Sequence, residues 1–164
     1  MTQYIGKPIK RVEDRRFITG RGRYTDDIKM VGMTHAYILR SPYAHAKILS
    51  LDISVAEKHP GVVAVFTGKD IAADGIVGVP TGWQVNFKNG DTMKEPPHQL
   101  LVTDKARHMG DGVAVVIAED RETARDAADL IVIEYEELDA VVTPEQAIAE
   151  GAALVHGDAP NNLC

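Results

Sequence analysis

Cysteine is almost missing from this chain: Cys164 stands alone at the C-terminus, so no disulfide can form within the chain and no thiolate metal cluster is available. That usage fits a reducing compartment. No apolar run approaches the ~20 residues that span a bilayer, and nothing near Met1 joins a charged region to an apolar one as a secretory signal does. The chain therefore reads as soluble, with no membrane insertion. Aromatic residues make up only 5%, so alanine and valine must fill the interior of a domain whose 164 residues suffice to bury a core. Walker loop, nucleophile elbow, HExxH, CxxC, EF-hand loop and heptad series are all absent, and no Ser, His and Asp group by local motif. Composition and spacing alone support a mixed α/β domain and name no reaction.

Charge is unevenly spread. Residues 1–23 hold seven Lys/Arg against Glu13 and Asp14, a balance of +5 within a chain of net charge -6, which leaves -11 beyond. With four Gly/Pro positions and no sustained period, 1–23 reads as an extended basic arm. Without interleaved aromatics, and on an acidic body, it favours an acidic neighbour over nucleic acid. Gly20-Arg-Gly-Arg-Tyr-Thr25 is not a dinucleotide fingerprint, because position 25 is Thr and no strand or helix flanks it in the required order. Asp26-Asp27 reads as a turn.

The most informative stretch is Arg40 to Ile71. Lys47 to Ile53 alternates, placing Leu49, Leu51 and Ile53 on one face of a strand. Ser54-Val-Ala-Glu57 has capping-box spacing and predicts a short helix stopped by Pro60-Gly61. Val62 to Phe66 is an apolar run expected to be a strand covered on both faces, and Thr67 to cap a turn at Gly68–Asp70. Before these, Met33 to Leu39 predicts a strand ended by Ser41-Pro42. His45, in the following connection, has no second ligand at metal spacing and reads as a hydrogen-bonded turn histidine, as do His35, His59 and His156; His98 reads as a loop residue.

Residues 73–99 show no period and predict a long loop, with Trp83 and Phe87 as either an interface anchor or a self-packed excursion. Leu100 to Val102 predicts a brief strand, Gly110-x-Gly112 a bend or bulge, and Val113 to Ala118 the central strand. Asp120 caps a helix to about Leu130 that buries Ala124, Ala127 and Ala128. Ile131, Ile133 and Tyr135 form a half-exposed strand whose Glu134, Glu136 and Glu137 make an acidic edge. Thr143-Pro-Glu-Gln146 starts a helix running to Gly151.

Three segments, GKPIKRVEDRRFITGRGRYTDDI, RSPYAHAKILSLDISVAEKHPGVVAVFTGKDI and GDGVAVVIAEDRETARDAADLIVIEYEELDAVV, resemble in order the N-terminal portion of the molybdenum-containing large subunit of the xanthine oxidase and aldehyde oxidase family, its carbon monoxide dehydrogenase-like branch above all. The resemblance implies an α+β fold, the α/β hammerhead, with a mixed sheet and short packed helices. It implies an arm at 1–23, a hammerhead domain at 24–156 with the long loop 73–99, and a linker at 157–164 toward a missing molybdenum-cofactor domain.

For the whole enzyme the resemblance implies an oxidoreductase that hydroxylates an aldehyde or N-heterocycle, or oxidises carbon monoxide. Its cofactors would be a molybdopterin cytosine dinucleotide-type molybdenum cofactor, [2Fe–2S] clusters and FAD, the latter two on iron–sulfur and FAD subunits. The family's cofactor loops and catalytic glutamate have no counterpart here. No catalytic, cofactor-binding or metal residue is carried over, and the chain alone is expected to be an inert structural and assembly domain. The alternative is a free-standing binding or assembly module without enzymatic activity. Exposed apolar side chains should mark the face that the remainder of the subunit covers and could drive self-association. A cytoplasmic location is expected, with export by a partner-borne signal as the other route.

Overall fold

In the computed structural model, which describes residues 4–164, the strands are β1 (His35–Arg40), β2 (Ala46–Asp52), β3 (Val62–Thr67), β4 (Lys105–Ala106), β5 (Gly112–Ala118) and β6 (Val132–Glu137). Helices α1 (Asp14–Ile18), α2 (Gly68–Ala73), α3 (Arg121–Ala128) and α4 (Pro144–Ala147) are short. Two units divide at Met33.

In the second unit, β5 takes the centre of one sheet, in the order β1-β5-β3, because its run GVAVVIA can be covered on both faces. Helix α3 packs on β1 and β5 through Ala124, Ala127 and Ala128, all fully buried, since alanines let a helix lie close to a sheet. Ala56, Val65, Ala114, Val116 and Ile131 complete that core. A second sheet runs β4-β2-β6. The α+β reading holds, but the mixed sheet divides into two sheets whose pairs are all antiparallel. Helix α3 separates β5 from β6, which enters the second sheet beside β2.

Several local expectations change in three dimensions. Leu49 is exposed rather than buried, because the β2–β6 register shifts between Ile48 and Ser50 and the extra residue is turned outward. Ser54 and Glu57 form no capping box: the Ser54 N–H donates to Asp52 Oδ1 at 2.9 Å and the Glu57 N–H to the Ile53 carbonyl at 3.0 Å. Only a single 3-10 turn, Ala56–Lys58, follows. Strand β3 has one covered face, which buries Val65 and Thr67; Phe66 is exposed, and so is Val63, at the register shift between Val62 and Ala64 against β5. Leu100 to Val102 is not a strand, although Leu101 and Val102 are buried and the Val102 N–H donates to the Gly112 carbonyl at 2.8 Å. Helix α4 ends at Ala147, four residues short of Gly151.

Other local signals act as their chemistry dictates. Asp120 accepts the Thr123 N–H at 2.7 Å, and the Thr67 N–H donates to Asp70 Oδ2 at 2.7 Å. The Thr143 and Gln146 side chains cap α4 reciprocally. Gly110 takes φ +89°, and the β1–β5 register shifts between Leu39 and Arg40 opposite Gly112, the bulge that the glycine pair permits. Residues 157–164 include a 3-10 turn, Pro160–Asn162; Asn162 Nδ2 donates to the carbonyls of Ala147 (2.9 Å) and Ala153 (3.0 Å).

In the first unit, the arm contains α1, too short to carry a visible period. It ends in a Schellman turn: Gly20, at φ +69°, donates to the Phe17 carbonyl (3.1 Å) and Arg21 to that of Arg16 (2.9 Å). Phe17 then stacks on Tyr24 with ring centroids 5.5 Å apart, and Gly22 fits against Phe17 where a Cβ would meet ring carbon Cδ1 at 2.7 Å. The Asp26-Asp27 pair lies in a 3-10 turn, Thr25–Asp27, with Asp27 Oδ2 accepting the Tyr24 N–H at 2.8 Å.

Candidate functional site

Within the second unit a cleft of about 280 Å³ opens at the end of the long excursion, lined by residues 93–99, by Arg107, His108 and Asp111, and by His156 and Cys164. Its floor is set by the loop that feeds β5. Asp111, buried, accepts the Arg107 N–H at 3.0 Å, and its carbonyl accepts the Ser41 N–H at 2.8 Å, so the loop is pinned to the end of β1. His108 Nδ1 lies 3.6 Å from Asp111 Oδ2, and the His98 and His108 rings are 6.4 Å apart. Arg107 donates to the Lys105 carbonyl at 2.9 Å and pairs with Asp104 at 3.5 Å.

Positive charge is crowded here. Burial, and then the Arg107 guanidinium, hold the His156 imidazole below the usual histidine range. The same two causes, in the same order, lower the Lys105 ammonium. Arg107, His98, His108 and His156 thus bring polar groups to a cleft also lined by Met93, Pro96, Pro97 and Val102. Among the described residues, no group of three His, Cys, Asp or Glu side chains could hold a metal ion. Gly20 and Arg21 cap the C-terminal end of α1 rather than opening a helix.

The candidate residues fall in separate places. His45 is buried and its Nδ1–H donates to the Asp139 carbonyl at 2.6 Å, a structural turn histidine as expected. His59 Nδ1 lies 3.0 Å from the Pro60 carbonyl. Only His98 and His156 enter the cleft, together with Arg107, His108 and Asp111, which no spacing rule singles out because they meet residues far away in sequence. Of the acidic edge, Glu136 pairs with Lys47 at 3.1 Å and Glu134 accepts from Ser50 at 2.9 Å.

The excursion itself carries isolated bridges, Val79 to His98 and Asn86 to Thr92, and exposes Val77, Val79 and Trp83, the last at 77%. Met109 and Val142 are exposed elsewhere in the second unit.

Comparison with known proteins gives concordant results. Residues 19–139 match the family model for the aldehyde oxidase and xanthine dehydrogenase a/b hammerhead domain. The chain is 40% identical to the nicotine 6-hydroxylase large subunit of Paenarthrobacter nicotinovorans over 97% of its own length and 19% of that protein. It is 42% identical to the xanthine dehydrogenase molybdenum-binding subunit of Escherichia coli O157:H7, over 89% of this chain and 19% of the relative. Among solved structures, a Cu,Mo-CO dehydrogenase superposes with a TM-score of 0.78 at 35% identity, covering 93% of this chain and 18% of that one. The chain thus spans about a fifth of the length of these relatives.

Proposed function

Since the chain belongs to the aldehyde oxidase and xanthine dehydrogenase family, as its a/b hammerhead domain, we propose that it acts as the assembly and framing domain of a molybdenum hydroxylase large subunit. The observation that carries this reading is the exposed apolar set, Val77, Trp83, Met109 and Val142, on a domain whose buried core is mostly alanine and valine. Such side chains cost free energy in water at roughly 25 cal/mol per Å² and are retained where a neighbour buries them. The relatives' names support the same reading: they are large or molybdenum-binding subunits of multi-subunit enzymes.

The reaction of the whole enzyme, on this proposal, is hydroxylation of an aldehyde or N-heterocycle or oxidation of carbon monoxide. A molybdopterin cytosine dinucleotide-type cofactor would supply the oxygen-transfer chemistry, with [2Fe–2S] and FAD subunits taking the electrons. Among the described residues no group of three His, Cys, Asp or Glu could hold a metal ion, and no cofactor-binding residue is proposed on this chain. No step is assigned to them. Their part is to hold neighbouring elements and to frame the approach to a site built by other residues, with 157–164 leading toward the cofactor-binding portion and the whole assembly in the cytoplasm. Mixing the chain with that portion and with the iron–sulfur and FAD subunits tests the proposal by whether a complex forms.

A further inference from the structure

The tip of the long excursion is a short hairpin. Its turn runs from Phe87 to Asp91: the Gly90 N–H donates to the Phe87 carbonyl at 2.9 Å and the Phe87 N–H to the Asp91 carbonyl at 2.8 Å. Gly90, at φ +91°, takes the left-handed position of the bulge that closes a three-residue hairpin loop. The Asn89 side chain folds onto Asp91, its Nδ2 donating to Oδ2 at 2.7 Å and its Oδ1 accepting the Asp91 N–H at 3.1 Å. Beyond the turn, the bridge of Asn86 with Thr92 and the bond from the Met93 N–H to the Val85 carbonyl, 3.0 Å, hold the two arms. Residues 84–92 are all exposed, and a Cβ placed on Gly90 would meet nothing within 4 Å.

We infer that Asn89 is a site of spontaneous deamidation, through which the hairpin rewrites its own turn. Of the four asparagines, at 86, 89, 161 and 162, it alone precedes glycine, whose lack of a side chain leaves the backbone nitrogen free to reach the neighbouring amide carbon. The deprotonated Gly90 nitrogen attacks Asn89 Cγ. The new N–Cγ bond closes a cyclic imide, the Cγ–Nδ2 bond breaks, and the amide leaves as ammonia with the proton given up by Gly90. Water then opens the imide, giving aspartate at position 89 when it attacks Cγ and isoaspartate when it attacks the backbone carbonyl. Water is the only co-reactant. The bonds of Gly90 and Asn89 must open first, and exposed hydrogen bonds on an isolated hairpin open at little cost. Either product sets a second carboxylate against Asp91 where an amide N–H had donated, and isoaspartate also lengthens the backbone by a methylene, so the three-residue loop geometry is lost. The inference stands apart from the assembly reading.

The test is incubation of the whole chain at mildly alkaline pH and body temperature, followed by peptide mapping with fragmentation that separates aspartate from isoaspartate. Both products should accumulate at position 89, isoaspartate in excess, before any change at Asn86, Asn161 or Asn162, and they should be lost in Asn89→Gln. Asp91→Ala frees the amide and should speed conversion about two- to tenfold, the worth of one ordinary hydrogen bond. In the aged chain, amide hydrogen exchange at Phe87 and Met93 should be faster than in the fresh chain, while exchange in β5 stays unchanged and shows the fold intact. Asn89 that persists, or that converts no faster than the other asparagines, would overturn the inference. Conversion with unaltered exchange at Phe87 and Met93 would overturn the loss of the turn.

Discussion

His45 and Asp139 are joined by a 2.6 Å hydrogen bond from the imidazole Nδ1–H to the backbone carbonyl, and the Leu138 N–H returns one of 2.9 Å to the His45 carbonyl. Together they clamp the connection between β1 and β2 to the chain leaving β6, at the end of the second sheet where Ala46 pairs with Glu137. His45→Ala removes the side-chain half of the clamp and leaves a void at a buried position. The expected loss is about 1–3 kcal/mol, seen as a lower urea midpoint at unchanged slope. An unmoved midpoint would show that the clamp is dispensable.

Gly68 opens α2 directly against another backbone. A Cβ there would stand 2.5 Å from the Val102 carbonyl oxygen and 2.7 Å from that of Leu101, atoms that cannot rotate away. Gly68→Ala should therefore destabilise by about 1–3 kcal/mol through overpacking, although alanine is the better helix former. Thermal unfolding checks the sign: a raised melting temperature would mean that residues 101–102 shift freely.

Two carboxylates at helix starts, the N-cap Asp120 of α3 and Asp70 in the first turn of α2, give the fold an acid limit. The Thr123 backbone N–H, and then its hydroxyl, hold Asp120 below its usual value near 3.8; the Thr67 hydroxyl and N–H do the same for Asp70. With the folded value below the unfolded one, their stabilisation is present above the usual value and is lost as pH falls through the lower folded value. Asp120→Asn should lower the urea midpoint at neutral pH, and its gap to wild type should narrow as pH falls below the usual carboxylate range. A constant gap across the titration would remove the carboxylate charge from the account.

Signals contained within a few residues were legible in the sequence, and those that depend on pairing were not. The apolar run of β5, the alanine face of α3, and the caps at Asp120, Thr67 and Thr143 all follow from local chemistry. Leu49 obeyed the alternation of its own strand, but its exposure is decided by a register shift against β6, some 80 residues away. Val63 and Phe66 read as buried because composition reveals neither the register shift at Val62/Ala64 nor which face of β3 is covered. The cleft was hidden for a similar reason: His98, Arg107, Asp111 and His156 come from three separate segments, and only the bend at Gly110-x-Gly112 announced one of them.

Trp83 reports on the excursion without any label. It is the only tryptophan and is 77% exposed, so the free chain should emit as a water-exposed indole and be readily quenched by acrylamide. If the excursion is an interface anchor, assembly with the other subunits should shift the emission to shorter wavelength and protect it, because a buried indole loses contact with water. Unchanged emission in a proven complex would place the contact elsewhere.

Native mass spectrometry of the chain, alone and mixed with the cofactor-bearing portion and the iron–sulfur and FAD subunits, with molybdenum measured on each species, tests the central claim most directly. The account predicts a complex that includes this chain and no molybdenum on the chain by itself. A folded chain that joins no complex, or one that carries stoichiometric molybdenum and turns over substrate alone, would contradict it.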